Sequence, residues 1–133
     1  MMRILLDTHA LLWTLNADPR GETIRRDVID PHNEVYFSAA SIWEIAIKHS
    51  AGKLSHGPAE IRKAAIKQGF FELPVYSKYT EELESLVFPD DLPRHKDPFD
   101  SLLIAQAKTE GMVFLTSDKK ISKYKEPCIR YFE

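Results

Sequence analysis

Three short runs constrain the fold most: "RILL" at 3–6, "EVYFS" at 34–38 and "MVFLT" at 112–116. Each is rich in β-branched, aromatic or aliphatic residues and apolar at consecutive positions, so both faces of the strand need cover. Strands of that kind belong to a parallel sheet with helices on either side. The segments between them read as those helices. "DTHALLWTL" follows the first run directly, with Asp7 and Thr8 at the junction. Residues 18–32 open and close on "DP", which predicts a helix between two turns. A helix over about 41–50 stops at Gly52, and "PAEIRKAAIKQG" at 58–69 is a helix with proline in front and glycine behind. "FFELPV" at 70–75 is a weaker strand, its Pro74 suited to an edge. "KYTEELESLVF" is helical, "PDDLPRHK" is a loop, and the stretch 88–96 looks mobile. A helix then opens at Asp97 and ends at Gly111, followed by the "MVFLT" strand, a short basic helix near 119–124 and a last strand at "CIRYF", 128–132. The expected fold is α/β, a three-layer sandwich around a central, mostly parallel sheet of about five strands.

The 133 residues suit one domain, 1–133, able to hide roughly two-thirds of its unfolded surface. With 44% hydrophobic and 29% charged residues, the composition is that of a globular protein rather than a disordered one. The apolar part of "MMRILLD" is cut off by Asp7, so it predicts neither a signal peptide nor a spanning helix, and the cytoplasm is the expected compartment. A lone cysteine, Cys128, excludes an internal disulfide and a cysteine-built zinc site, and reads as a small buried apolar residue. The net charge of −2 points to no partner, and any nucleic-acid contact has to come from local clusters. Those clusters are Lys48 and Lys53, Arg94 with His95 and Lys96, and Lys119, Lys120, Lys123 and Lys125. Taken alone, each is a solvated face.

"HKDPFDSLLIAQA", 95–107, places two aspartates at one helix start. Asp97 as N-cap, Pro98 at the first helical position and Asp100 at the third make a variant capping box, which accounts for both locally. In an open parallel sheet, however, ligands bind beyond the carboxyl ends of the strands. Four acids fall there: Asp7 after "RILL", Glu44 in the first turn of the helix after "VYFS", Asp100, and Asp118 after "VFLT". Each has a capping explanation, Glu44 by completing a box with Ser41 in "SIWE", worth roughly 1 kcal/mol. Together they resist it, since carboxylates about 4 Å apart repel by roughly 4 kcal/mol at an effective dielectric of 20. A cation reverses that sign, and an all-oxygen donor set favours Mg²⁺ or Mn²⁺ over zinc.

"LLDTHALLW", "SAASIWEIAIKHSAGKL", "HKDPFDSLLIAQA" and "FLTSD", in this order over nearly the whole chain, resemble the PIN-domain ribonucleases, most closely the VapC type, the toxin of a type II toxin–antitoxin pair. The resemblance implies Mg²⁺-dependent hydrolysis of RNA phosphodiesters, leaving a 5′-phosphate and a 3′-hydroxyl. Its metal-binding, catalytic acids map onto Asp7, Glu44, Asp100 and Asp118, with Asp7 and Asp100 as principal ligands. Thr8 and Ser117 match polar supporting positions, and Asp97 supports the site as a cap. Family members often carry arginine directly after "DPFD"; here it is Ser101. The resemblance further implies a homodimer and a small cognate antitoxin, for which Trp13, Trp43, Phe70, Phe71 and Tyr76 offer apolar surface. Lys48, Lys53, Arg94, Lys96, Lys119 and Lys120, each close to a proposed ligand, become candidate RNA contacts.

Other chemistries fit less well. His9, His32, His49, His56 and His95 are spread along the chain with no common address for an acid–base pair. An aspartyl-phosphate enzyme needs a second aspartate two residues after the nucleophile, and "DTH" lacks it. No glycine-rich turn follows "RILL", which excludes a dinucleotide fold. A non-catalytic RNA- or protein-binding module on the same fold is the alternative from a different class.

Overall fold

The computed structural model describes residues 1–91 and 97–133. Five strands, β1 Arg3–Leu6, β2 Glu34–Ser38, β3 Phe71–Leu73, β4 Val113–Thr116 and β5 Ile129–Tyr131, form one sheet in the order β3-β2-β1-β4-β5. Every pairing is parallel. Side chains of β1 and β4 alternate between two cores, because successive residues of a strand point to opposite faces. Ile4, Leu6 and Leu115 join Phe37, Leu11, Ile45 and Ile61 on one side. Leu5 and Phe114 join Leu103, Ile104 and Tyr79 on the other. The helices that cover these faces are α1 Thr8–Leu15, α2 Glu22–Ile29, α3 Ala39–Ser50, α4 Pro58–Lys67, α5 Ser77–Glu82 and α6 Pro98–Glu110. The result is the expected three-layer α/β sandwich, with the sheet wholly parallel among the described residues. No described helix is long and apolar enough to cross a membrane.

Connectivity places the site. From β1 the chain steps outward through β2 to β3, then returns to lay β4 against the other side of β1. The two directions of winding part between β1 and β4, and a crevice opens beyond the carboxyl ends of those strands. The register pairs Leu6 with Leu115, so the next residues, Asp7 and Thr116, stand side by side at its floor.

Several elements differ from the sequence expectation, each for a local reason. Instead of one helix over 18–32, a 3-10 turn at Pro19–Gly21, capped by Asp18, precedes α2, which ends at Ile29. Helix α3 starts earlier than expected, since Ser38 is its N-cap and accepts from the Ala40 amide, so Glu44 falls in its second turn rather than its first. Helix α5 ends at Glu82 and only a 3-10 turn, Leu83–Ser85, follows. Continuation is blocked because the buried Glu126 carboxylate takes the Val87 amide at 2.6 Å, and the Val87 carbonyl takes the Lys125 amide at 2.7 Å. The basic helix near 119–124 is a single 3-10 turn, Ile121–Lys123. Cys128 is half-buried against the second core, and burial pushes its thiol up to about 11, so it stays protonated at neutral pH.

Candidate active site

Asp7 is held from two directions. As N-cap of α1 it accepts the Ala10 amide at Oδ1 (2.7 Å), while Oδ2 accepts the Thr116 hydroxyl (2.6 Å). Its own amide extends the β1–β4 ladder by donating to Leu115. Only 4% of the residue is exposed. Burial pushes its carboxyl above the usual aspartate range, against the opposing pull of the Thr116 and Ala10 hydrogen bonds and of His9, while the Asp118 charge adds to the rise. Thr116 also ties the second loop down, since its oxygen accepts the Asp118 amide at 3.1 Å. Asp118, half-buried, accepts the Lys120 amide at 2.8 Å.

Glu44 arrives on α3 with 8% exposure. Its Oε1 accepts the Thr8 hydroxyl at 2.6 Å and its Oε2 pairs with Lys48 Nζ, one turn on, at 2.9 Å. Thr8 also lies 3.0 Å from the Ser41 hydroxyl. A hydroxyl has one proton, so Thr8 gives it to the carboxylate and accepts from Ser41. The expected Ser41–Glu44 capping box is therefore absent: Ser41 is buried inside α3 and joined to α1 instead.

At the start of α6, Asp97 accepts the Phe99 and Asp100 amides at 2.9 and 3.2 Å, with Pro98 at the first helical position and Gly111 closing the helix at φ 68°. Asp97 is the N-cap that the sequence predicts. Asp100, half-buried one turn in, faces the same crevice as the other acids. A cleft of about 80 Å³ is lined by Asp7, Thr8, Glu44, Asp97, Asp100 and Asp118, together with His9, Lys48 and Ile121. All four acids singled out in the sequence thus border one opening.

Hard carboxylate oxygens suit an oxygen-preferring divalent cation, and a cation would relieve the burial cost that raises Asp7. The donor chemistry fits such an ion. Convergence is incomplete, however: among the described residues no three His, Cys, Asp or Glu side chains are grouped closely enough to hold a metal as they stand. The oxygens of Asp7 and Glu44 are engaged by hydroxyls, an amide and an ammonium.

The remaining candidates separate clearly. Lys48 is bound to Glu44, whereas Lys53, Lys119 and Lys120 are exposed. Arg94 and Lys96, with His95, lie outside the described residues. Among those described, no hydrogen bond joins Ser117 to the acids; Thr116, one residue earlier, makes that link. Ser101 pairs with the Tyr124 hydroxyl at 3.0 Å. The described histidines are dispersed: His9 stacks on Trp13, His32 meets Asp30, His49 meets the Leu54 carbonyl and His56 meets Glu60. Thr116 escaped the sequence reading, and Ser41 entered it only as a cap. No local signal marks Thr116: "RILL" and "VFLT" aligned end to end would set Ser117 beside Asp7, and only the observed register, Leu6 with Leu115, puts Thr116 there.

Among curated proteins, none matches this sequence. By structure, the chain is similar to a chain of VapBC2 from Rickettsia felis, a complex bound to promoter DNA, with a TM-score of 0.70 at 14% identity over 99% of this chain and 100% of that one. It is similar to a chain of the DNA-bound VapBC from Salmonella typhimurium (TM-score 0.60, 19% identity, 99% and 98% covered). A toxin–antitoxin complex from Klebsiella pneumoniae gives 0.63 at 14% identity, over 96% and 95%. At such identities these are likenesses of fold. The sequence itself matches the PIN domain over residues 4–127. With that match spanning nearly its whole length, the chain belongs to the PIN domain family, whose members are nucleases and generally metal-dependent.

Proposed function

We propose that this chain is a Mg²⁺-dependent endoribonuclease, one nuclease unit over residues 1–133, acting in the cytoplasm as the toxin of a toxin–antitoxin pair. The observation that carries the reading is the gathering of Asp7, Glu44, Asp100 and Asp118, from four separate segments, around the crevice between β1 and β4. Asp7 and Asp100 are the principal ligands for Mg²⁺ or Mn²⁺, and Glu44 and Asp118 complete the set. When bound, the ion supplies an acidified water and charge stabilisation at the phosphate, which removes the need for the RNA 2′-hydroxyl as nucleophile.

The chain's own residues prepare that site. Thr116 and the Ala10 amide fix the Asp7 carboxylate at the floor, and Thr8 fixes one oxygen of Glu44. Asp97 supports the site by starting α6, which presents Asp100. Lys48 neutralises Glu44 in this state, leaving Lys53, Lys119 and Lys120, with Arg94 and Lys96, as candidates for the phosphates of the strand. Similarity to chains from VapBC complexes supports a cognate antitoxin as partner of this chain, which we propose acts as a homodimer.

The test is cleavage of total RNA by the wild-type chain in Mg²⁺, in EDTA, and by Asp100→Asn in Mg²⁺. Cutting only in the first condition is expected; equal cutting in all three would refute the metal-dependent site. One observation favours a second reading, a non-catalytic binding module: no ready metal group exists among the described residues. Stable RNA or antitoxin binding with no cleavage at any divalent concentration would select it. A small DNA-binding protein encoded beside this chain would support the toxin assignment.

A further inference from the structure

Beside the acidic cleft lies a second cavity of about 230 Å³, and His9 borders both. Planar groups dominate one wall. The His9 and Trp13 rings, successive turns of α1, stack with centroids 5.8 Å apart and planes 24° apart. The Arg20 guanidinium lies 4.7 Å from the Trp13 ring centre. Asp18 grips that guanidinium with both oxygens, at 3.0 and 2.7 Å, which fixes its plane and offsets its charge. Leu12, Leu54 and Ile61 add apolar lining, and a polar rim is formed by Asn16, whose side-chain amide has no partner among the described residues, and by Ser55 and His56.

A phosphate is a poor occupant, because Arg20, which lines the cavity, is already neutralised by the Asp18 carboxylate in the same wall. An aliphatic side chain would leave the polar rim unanswered. A nucleobase meets both conditions, with a π-face for the planar wall and an edge of donors and acceptors for the rim. We infer that this cavity receives an unpaired base of the RNA strand next to the bond that is cut, extending the stack of His9, Trp13 and Arg20. The inference rests on the ribonuclease reading and adds to it a determinant of which sequence is cut.

Trp43→Phe leaves Trp13 as the sole indole of the chain's two. In that background, with Asp100→Asn to stop cleavage, emission is followed as single-stranded oligoribonucleotides are added, either intact or with one abasic nucleotide at each position around the cut. One abasic position should weaken binding roughly 5- to 150-fold and abolish the quenching of Trp13. His9→Ala should shrink that difference while raising KM more than it lowers kcat in the Asp100-bearing protein. Trp13→Phe should retain part of the preference. Affinity and emission indifferent to every abasic position would overturn the pocket, as would quenching by a protein partner but never by RNA. Base-independent cutting by the Asp100-bearing protein counts against the pocket alone, whereas a failure to cut any RNA counts against the nuclease reading.

Discussion

Replacing Thr8 by valine tests how Glu44 is held. The two side chains have nearly the same shape and similar helix propensity, so the change removes little but the hydroxyl. That hydroxyl gives Glu44 Oε1 its 2.6 Å hydrogen bond, in a place where both residues are buried. A hydrogen bond to a charged acceptor contributes about 1.5–3 kcal/mol, and a carboxylate left buried without its donor forfeits that much. Ser41, which also loses a partner, can turn back to a carbonyl of its own helix, so its loss adds little. For a chain of this size each kcal/mol moves Tm by about 3–5 °C, giving an expected fall of roughly 5–15 °C by calorimetry at neutral pH. Thr8→Ser keeps the donor and should recover most of the loss. Cleavage measured well below both melting points should fall for Thr8→Val beyond any loss of folded protein, because Glu44 is no longer fixed. A Tm unchanged in Thr8→Val, or equal losses for valine and serine, would show that the hydroxyl does not hold the carboxylate.

Other outcomes follow from the same contacts. Because burial raises the Asp7 carboxyl in the fold, its contribution to stability is full below the ordinary aspartate value near ~3.9 and is lost as pH rises through the raised one. Asp7→Asn, with divalent ions chelated, should therefore raise Tm at neutral pH, with the gain vanishing in acid while cleavage is abolished; a pH-independent Tm difference would contradict this. Asp97→Asn keeps a good cap and should retain most activity, Asp97→Ala should cost about 0.5–2 kcal/mol in denaturant unfolding, and Asp100→Asn should abolish cleavage with the fold intact. Equal activity losses from Asp97→Asn and Asp100→Asn would mean the cap and the ligand are not separable. Gln106, fully buried, accepts the Ser38 hydroxyl at 2.6 Å and donates to the Pro74 carbonyl at 3.1 Å. Gln106→Leu strands both partners and should cost on the order of 2–4 kcal/mol, read as a lower urea midpoint; an unchanged midpoint would refute the link between α6 and the strand ends.

By itself the sequence pointed to a mostly parallel sheet, to the cap at Asp97 and to four acids that border one cleft in the fold. Apolar runs that need cover on both faces, and carboxylates placed just after strands or near a helix start, are local patterns, readable without knowing which strand lies beside which. Tertiary structure decided the rest. That Thr116 rather than Ser117 supports Asp7 depends on the pairing of β1 with β4, and a shift of one residue would turn that hydroxyl to the opposite face. That Ser41 serves Thr8 rather than a capping box depends on α1 and α3 packing together, since a buried hydroxyl takes the partner that desolvation leaves within reach. That the expected helix does not run on through Val87 was likewise set from a distance, by the carboxylate of Glu126, a residue 39 positions further along the chain than the amide it captures. Local chemistry names the groups that can act, but the competition for buried hydrogen bonds among distant segments decides which of them meet.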